Sequence, residues 1–197
     1  EAIAVGATLA MDSDEWIMPL HRNLGVFTSR NMSLTELFKQ WQGDVTGYSK
    51  ARERSFHFGS KAHFVCGMIS HLGPQLAIAD GVALAYQKRG QQKCALAFTG
   101  DGGTSEGDFH EALNVAAVWN LPVIFIIENN GYGLSTPTNE QYKCDHLIDR
   151  AKGYGMEGVR IDGNNILEVY NTIKGVRKYC IENQKPYLIE CDTFRMR

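Results

Sequence analysis

The chain has 197 residues, 44% of them hydrophobic, enough to bury a substantial core in one domain or slightly more. With 20 Lys and Arg against 22 Asp and Glu the formal net charge is −2, so no basic surplus recommends nucleic acid as a partner. The longest apolar stretch, around residues 123–127, is far too short to span a bilayer, and five dispersed cysteines without a C-x-x-C pair fit a reducing compartment: cytoplasm is expected, with an organelle matrix as the alternative.

Residues 35–42, with Leu37, Phe38 and Trp41, read as a short helix feeding a glycine-bearing loop over 43–61, long enough to be functional or interface-forming. From 75 to 89 an alanine-rich background carrying Leu76, Val82, Leu84 and Tyr86 predicts a helix whose small residues suit close packing against a second subunit. Residues 94–99 form an apolar run closed by glycine, a buried strand, and Gly100-Asp101-Gly102-Gly103 follows as a turn that lets an anion approach the backbone. Between 104 and 120, Phe109, Ala112, Leu113, Ala116 and Trp119 recur mostly at helical spacing, with Ser105 and Asp108 placed like a capping pair. Residues 123–127 are β-branched or apolar throughout, as in a strand covered on both faces. A further strand and turn (158–163), helix (166–182) and strand (186–191) continue the alternation, without repeat or low-complexity linker. The expected architecture is α/β, a mainly parallel sheet flanked by helices, in one domain over 1–197 that is truncated at both ends.

A right-handed crossover brings the strand at 123–127 back parallel to that at 94–99, so Asp101 and Asn130 both lie just past carboxyl ends. That crevice is where open α/β sheets bind ligands. A carboxylate with an amide oxygen suits magnesium or calcium, and a ligand set this sparse needs a phosphorylated partner to complete it. A lone Gly-Asp-Gly is more often a tight turn, and Arg22 alone a solvated charge. The Asn129-Asn130 pair one βαβ unit later tips the balance to a metal and diphosphate site.

Gly-Asp-Gly followed at this spacing by Asn-Asn resembles the thiamine diphosphate motif. The run Gly102-Gly103-Thr104-Ser105-Glu106-Gly107-Asp108-Phe109-His110-Glu111-Ala112-Leu113-Asn114 and the run Asn129-Asn130-Gly131-Tyr132-Gly133-Leu134-Ser135-Thr136-Pro137 are similar to the α subunit of the decarboxylase component of 2-oxo acid dehydrogenases. The branched-chain (2-oxoisovalerate) type is nearer than the pyruvate type because of the continuation Ser135-Thr136-Pro137-Thr138-Asn139-Glu140-Gln141-Tyr142. The resemblance implies a thiamine diphosphate-binding fold in which Asp101, Asn130 and the carbonyl of Tyr132 hold magnesium and Gly102 and Gly103 offer backbone N–H groups to the diphosphate. In His21-Arg22-Asn23-Leu24-Gly25, His21 stands where the family has tyrosine, and Arg22 inherits the guanidinium grip. Met68-Ile69-Ser70-His71-Leu72 matches the loop beneath the cofactor, where Ser70 meets the aminopyrimidine and Leu72 props the bent conformation. Pro74 stands where the branched-chain type has a threonine helping to hold potassium, which leaves such a site without that ligand.

The implied activity is thiamine diphosphate-dependent oxidative decarboxylation of a branched-chain 2-oxo acid, with acyl transfer to a lipoyl group, in branched-chain amino acid catabolism. A pyruvate- or acetoin-type decarboxylase component is the nearest alternative, and a non-catalytic Mg-phosphate binding module is the alternative from another class. The implied partners are a β subunit or fused β domain that supplies the activating glutamate, in a heterotetramer or a fused chain that dimerises, and a lipoyl-bearing acyltransferase; no nucleic acid or membrane is implied. The main catalytic histidine is expected beyond Arg197. His71 is a weaker catalytic candidate, weighed against a loop histidine with a satisfied hydrogen bond. Solvation or capping accounts for His57, His63 and His110, which lack metal-ligand spacing. Glu128 replaces an arginine of the branched-chain relatives, and its carboxylate is expected to lower local anion affinity.

Overall fold

Strands buried on both faces form where apolar runs lack polar alternation. In the computed structural model, which describes residues 1–53, 56–67 and 72–196, β2 (Ala95–Gly100), β3 (Val123–Asn129) and β7 (Tyr187–Asp192) are such strands. With β1 (Ile17–Met18) and β6 (Glu157–Asp162) they make one sheet in the order β1-β2-β3-β7-β6, every pair parallel. Successive side chains leave a strand on opposite faces. Leu96, Phe98, Ile124, Ile126 and Ile189 therefore share a core with α1 (Ala2–Ala10), α2 (Leu24–Ser29) and α8 (Ile166–Asn183). Ala97, Val123, Phe125, Ile127 and Leu188 join α4 (Pro74–Lys88) and α5 (Gly107–Trp119) on the other side.

Chain direction explains this division of the helices. α5 carries the chain from β2 to its neighbour β3, whereas α8 carries it from the edge strand β6 back inward to β7. A right-handed crossover run in opposite directions across one sheet lands on opposite faces. Between α2 and α4 the chain forms α3 (Leu34–Gln42), closed by Gly43 in the left-handed conformation. The loop that follows packs Tyr48, Phe56 and Phe58 against one another and Phe27.

The expected helices and strands appear with bounds shifted by a residue or two, except at the start of α5. The capping pair of Ser105 and Asp108 does not form: Gly102–Ser105 is a 3-10 turn, and α5 begins at Gly107 with Glu106 as its N-cap and no side-chain capping bond. The cause is local, since Thr104 donates both its N–H (3.2 Å) and its hydroxyl (2.7 Å) to the Asp101 carbonyl and tightens the turn before the helix can start. The helices α1 and α2 and the strand β1 were not expected. α1 (AIAVGATLA) is apolar nearly all round because it is covered by both α2 and α8, and so carries no stripe to read. Among the described residues, no helix is long and apolar enough to cross a membrane.

One buried carboxyl sits at odds with the core around it. Asp80 on α4 is 5% exposed, its Oδ1 has no hydrogen-bond partner among the described residues, and burial pushes its carboxyl up from the ordinary value of 3.8 to about 8. The folded protein keeps this proton to about pH 8 while the unfolded chain releases it near pH 3.8, so stability falls as pH rises across that window. Asp80→Asn should remove this dependence, by up to about 1.4 kcal/mol per pH unit, and stabilise the protein more at pH 8 than at pH 5. Denaturant unfolding of wild type and variant at the two pH values reads this directly; parallel pH profiles would contradict it.

Candidate functional site

The parallel register places Gly100 of β2 opposite Glu128 of β3, so the residues that follow each strand emerge side by side. Asp101, 1% exposed, accepts the Asn130 backbone N–H on Oδ1 at 3.4 Å. The Asn130 side chain folds back so that its Oδ1 accepts the Tyr132 N–H at 3.1 Å, and Gly131 between them has φ +84°, a left-handed turn that favours glycine. The chain then forms a small hairpin from β4 (Tyr132–Gly133) and β5 (Thr136–Pro137), followed by the one-turn helix α6 (Thr138–Gln141) and, further on, the short helix α7 (Arg150–Tyr154). A Cβ on Gly102 would stand 3.0 Å from the Gly133 Cα, and one on Gly103 would collide with the Thr99 hydroxyl. The two arms thus meet backbone to backbone, which only glycines allow.

Carboxylates at the ends of β3 and β7 hold the neighbouring side chains. Glu128 is 5% exposed; its Oε2 receives Arg22 Nε and Nη2, each at 3.0 Å, and its Oε1 receives Asn23 Nδ2 at 2.6 Å. On the other face of the strand Asn129 Nδ2 donates to Glu190 Oε1 (2.8 Å) and to the Tyr142 hydroxyl (3.2 Å). Glu190 Oε2 also accepts the Ile148 N–H at 2.9 Å. The expectation that Glu128 lowers anion affinity acquires a second side here. Its charge offsets Arg22, but it also fixes that guanidinium, 40% exposed, beside Gly100 at the mouth of the crevice.

A cavity of about 490 Å³ opens beyond the carboxyl ends of β2, β3 and β7. From the expected set it is lined by His21, Arg22, Leu72, Asp101, Gly102, Gly103, Asn130 and Tyr132. Leu72 has φ +62°, a left-handed conformation unusual for leucine, and is held there through its carbonyl, which accepts Gln75 Nε2 at 2.9 Å and the Thr99 hydroxyl at 3.3 Å. Partial burial, then the charge of Arg22 and the nearby His57, pull the His21 imidazole below its ordinary value, so it is neutral at pH 7. Ser70 and His71, like Met68 and Ile69, lie outside the described residues. The other histidines have local partners: His63 with the Ser60 hydroxyl (2.7 Å), His57 with Glu53 (3.5 Å), His110 with the Tyr154 hydroxyl.

The ligand groups that these residues offer are hard oxygens. Among the described residues no group of three His, Cys, Asp or Glu side chains could hold a metal, so a cation here would take one carboxylate, an amide oxygen and a main-chain carbonyl and complete its shell from outside. Gln141 Oε1, a buried acceptor without a donor among the described residues, lies beside Gly102 and Gly133. The residues present fit magnesium bound together with a diphosphate.

Sequence reasoning missed several residues of this site. Glu1 lines the cavity and accepts the Gly25 N–H at 2.7 Å, joining the starts of α1 and α2, and nothing in the sequence marks it. Asn23 and Gln141 lay inside motif segments but had no role assigned. Residues 193–196 also line the cavity. They follow a recognisable strand, and the rule that ligands sit beyond carboxyl ends would have found them.

The family described as dehydrogenase E1 component matches residues 1–197. Similar curated proteins include the mitochondrial 2-oxoisovalerate dehydrogenase subunit alpha 2 of Arabidopsis thaliana, 38% identical over 196 residues (100% of this chain, 42% of that protein). The alpha subunits of Dictyostelium discoideum and Homo sapiens are 39% and 35% identical over 100% of this chain and 45% and 44% of theirs. The chain therefore spans somewhat less than half the length of these relatives. A crystal structure from Mycobacterium smegmatis, described as a thiamin diphosphate-dependent enzyme, aligns with a TM-score of 0.59 over 98% of this chain and 31% of that one; at 18% identity the likeness is one of fold.

The Glu128 contacts generate a stability prediction. Glu128→Ala should cost about 1–3 kcal/mol, chiefly because the Asn23 amide is left buried without its acceptor, while the exposed Arg22 arm adds little. Glu128→Gln should recover part of the loss by keeping a side-chain oxygen in place. Denaturant unfolding of both variants measures this, and an unchanged midpoint for Glu128→Ala would show that the contacts carry no net stability.

Proposed function

Because the chain belongs to the dehydrogenase E1 component family, we propose that it is the diphosphate-binding α part of a thiamine diphosphate-dependent decarboxylase that acts on a branched-chain 2-oxo acid and passes the acyl unit to a lipoyl group. The observation that carries this reading is the convergence of Asp101 and Asn130 at the adjoining ends of β2 and β3. The 35–39% identity to 2-oxoisovalerate dehydrogenase alpha subunits supports the substrate class.

In this reading Asp101, the Asn130 side chain and the Tyr132 carbonyl hold magnesium, and the backbone of Gly102 and Gly103 faces the diphosphate. Arg22 offers its planar fork to the phosphate oxygens, oriented by Glu128, and His21 adds a hydrogen bond where the family uses tyrosine. Leu72, held in its left-handed conformation, presents an apolar side chain to the middle of the cavity. Ser70 is assigned to the aminopyrimidine, and His71 is retained as a substrate-facing candidate. When bound, thiamine diphosphate supplies the carbanion-stabilising centre at which a 2-oxo acid loses carbon dioxide. The chain's own contribution is orientation and charge balance: one guanidinium and a divalent cation set against the diphosphate, with Asp101 and Glu128 each spoken for.

The mouth of the cavity carries exposed apolar groups, Leu134 (88%), Phe194 (67%) and Met196 (82%). A β subunit or fused β domain closing over them would exclude water and bring the activating glutamate, with the lipoyl-bearing acyltransferase as the onward acceptor. The relatives' names place them in mitochondria. For this chain we assign an aqueous compartment, cytoplasm or organelle matrix.

Two measurements on the full-length protein with its partner chain test the reading. Asp101→Ala should abolish magnesium-dependent binding of thiamine diphosphate in calorimetry while the cofactor-free protein stays folded, as a cooperative thermal unfolding would show; undiminished affinity would reject the metal assignment. Among 2-oxoisovalerate, pyruvate and acetoin, the first should give the highest kcat/KM, by about 10–200-fold per methylene that the pocket recognises. A preference for pyruvate or acetoin would move the protein to the neighbouring substrate class.

A further inference from the structure

Residues 135–142, the continuation that separates the branched-chain type from the pyruvate type in sequence, fold back beneath the motif, and two consecutive side chains reach its two arms. The Tyr142 hydroxyl meets Asn129 Nδ2 at 3.2 Å on the Asn-Asn arm. Gln141 reaches the Gly-Asp-Gly arm. Its Nε2 donates to the Thr136 carbonyl at 2.8 Å and to Asp101 Oδ2 at 3.1 Å. A primary amide has two N–H donors, and both are used. The amide orientation is thereby determined, because flipping it would set its oxygen against two other oxygens.

This arrangement treats the two oxygens of Asp101 unequally. Oδ2 is held by a side-chain amide at 3.1 Å, whereas among the described residues Oδ1 has only the long 3.4 Å approach of the Asn130 N–H. A neutral donor holds a carboxylate without cancelling its charge, as a lysine or arginine would. The remaining end of the amide, Gln141 Oε1, is buried and has no donor among the described residues. It points to where the two arms touch, 3.2 Å from the place a Cβ on Gly133 would occupy and 3.8 Å from that on Gly102.

We propose that Gln141 is a positioning residue for the metal: its amide N–H holds Asp101 Oδ2 so that Oδ1 is presented to the cation. The proposal rests on the magnesium reading above and adds to it a residue outside the ligand set. It also accounts for the close glycine contact, since a side chain on Gly133 would press on the amide that has to stay in this orientation.

The test uses the full-length protein with its partner chain and Mn²⁺ in place of magnesium, titrated by electron paramagnetic resonance with thiamine diphosphate present. Gln141→Met keeps the length of the side chain and removes the amide. It should weaken Mn²⁺ binding about tenfold or more and change the line shape of the bound ion, whereas Tyr142→Phe, which disturbs the same segment without touching Asp101, should leave both as in wild type. Gln141→Ala serves in its place if the methionine variant does not fold. A folded Gln141 variant with wild-type affinity and line shape overturns the proposal, as does a Tyr142→Phe effect of equal size, which would mean that the segment acts only as a brace. Asp101→Ala in the same titration separates the two readings. If it abolishes Mn²⁺ binding while the Gln141 variants bind normally, the role of Gln141 alone falls; if it binds normally, the magnesium reading itself falls.

Discussion

The register between β2 and β3 is the constraint on which the site depends. Six consecutive residues pair in parallel from Ala95 opposite Val123 to Gly100 opposite Glu128, and both strands release their chains at the same height. A shift by one residue would turn Phe98 and Phe125 to the wrong faces as well as separating Asp101 from Asn130. Packing and function therefore share one determinant. The fully buried side chains of the two cores lock the register, and the register delivers the oxygens.

Around this point the protein manages an unusual density of carboxylates. Asp101, Glu128 and Glu190 sit at or near the ends of β2, β3 and β7, all at most 5% exposed. Each is held differently: Glu190 by an asparagine amide and a backbone N–H, Glu128 by an arginine and an asparagine, Asp101 by a glutamine amide and a long backbone contact. Asp101 is thus the one of the three held by the weakest set, and it is the one assigned to the cation. The others are committed to framing it, Glu128 through the loop before α2 and Glu190 through the turn after β3.

Much of this was legible in the residues. β2, α5, β3, α8 and β7 were readable because each satisfies a local rule, an apolar run or a helical stripe, and the Asp101 and Asn130 pairing follows from one crossover. What escaped shares a physical cause, which is that its meaning is supplied from far along the chain. α1 shows no stripe because two other helices cover it. Glu128 reads as a lost anion grip until Arg22 and Asn23, more than a hundred positions away in sequence, are seen to close on it. Gln141 belonged to a segment useful for choosing a subtype, and its contact with Asp101 exists only after the hairpin folds back. The α5 capping pair fails for the opposite reason, since the Thr104 turn intervenes within three residues.

The two ends of the sheet bear on how this protein can associate. On one side β1 is only two residues long, and Ile17 already bridges to Val65, so an incoming strand finds almost no unpaired backbone. On the other, β6 carries Glu157, Arg160 and Asp162 along its rim, and Arg160 is tied to Asp192 on β7. Short or charged borders of this kind discourage edge-to-edge strand addition and the fibrous stacking it leads to. Assembly is thereby steered towards helix faces and the mouth of the crevice, where a neighbour meets side chains instead of open hydrogen-bond ladders.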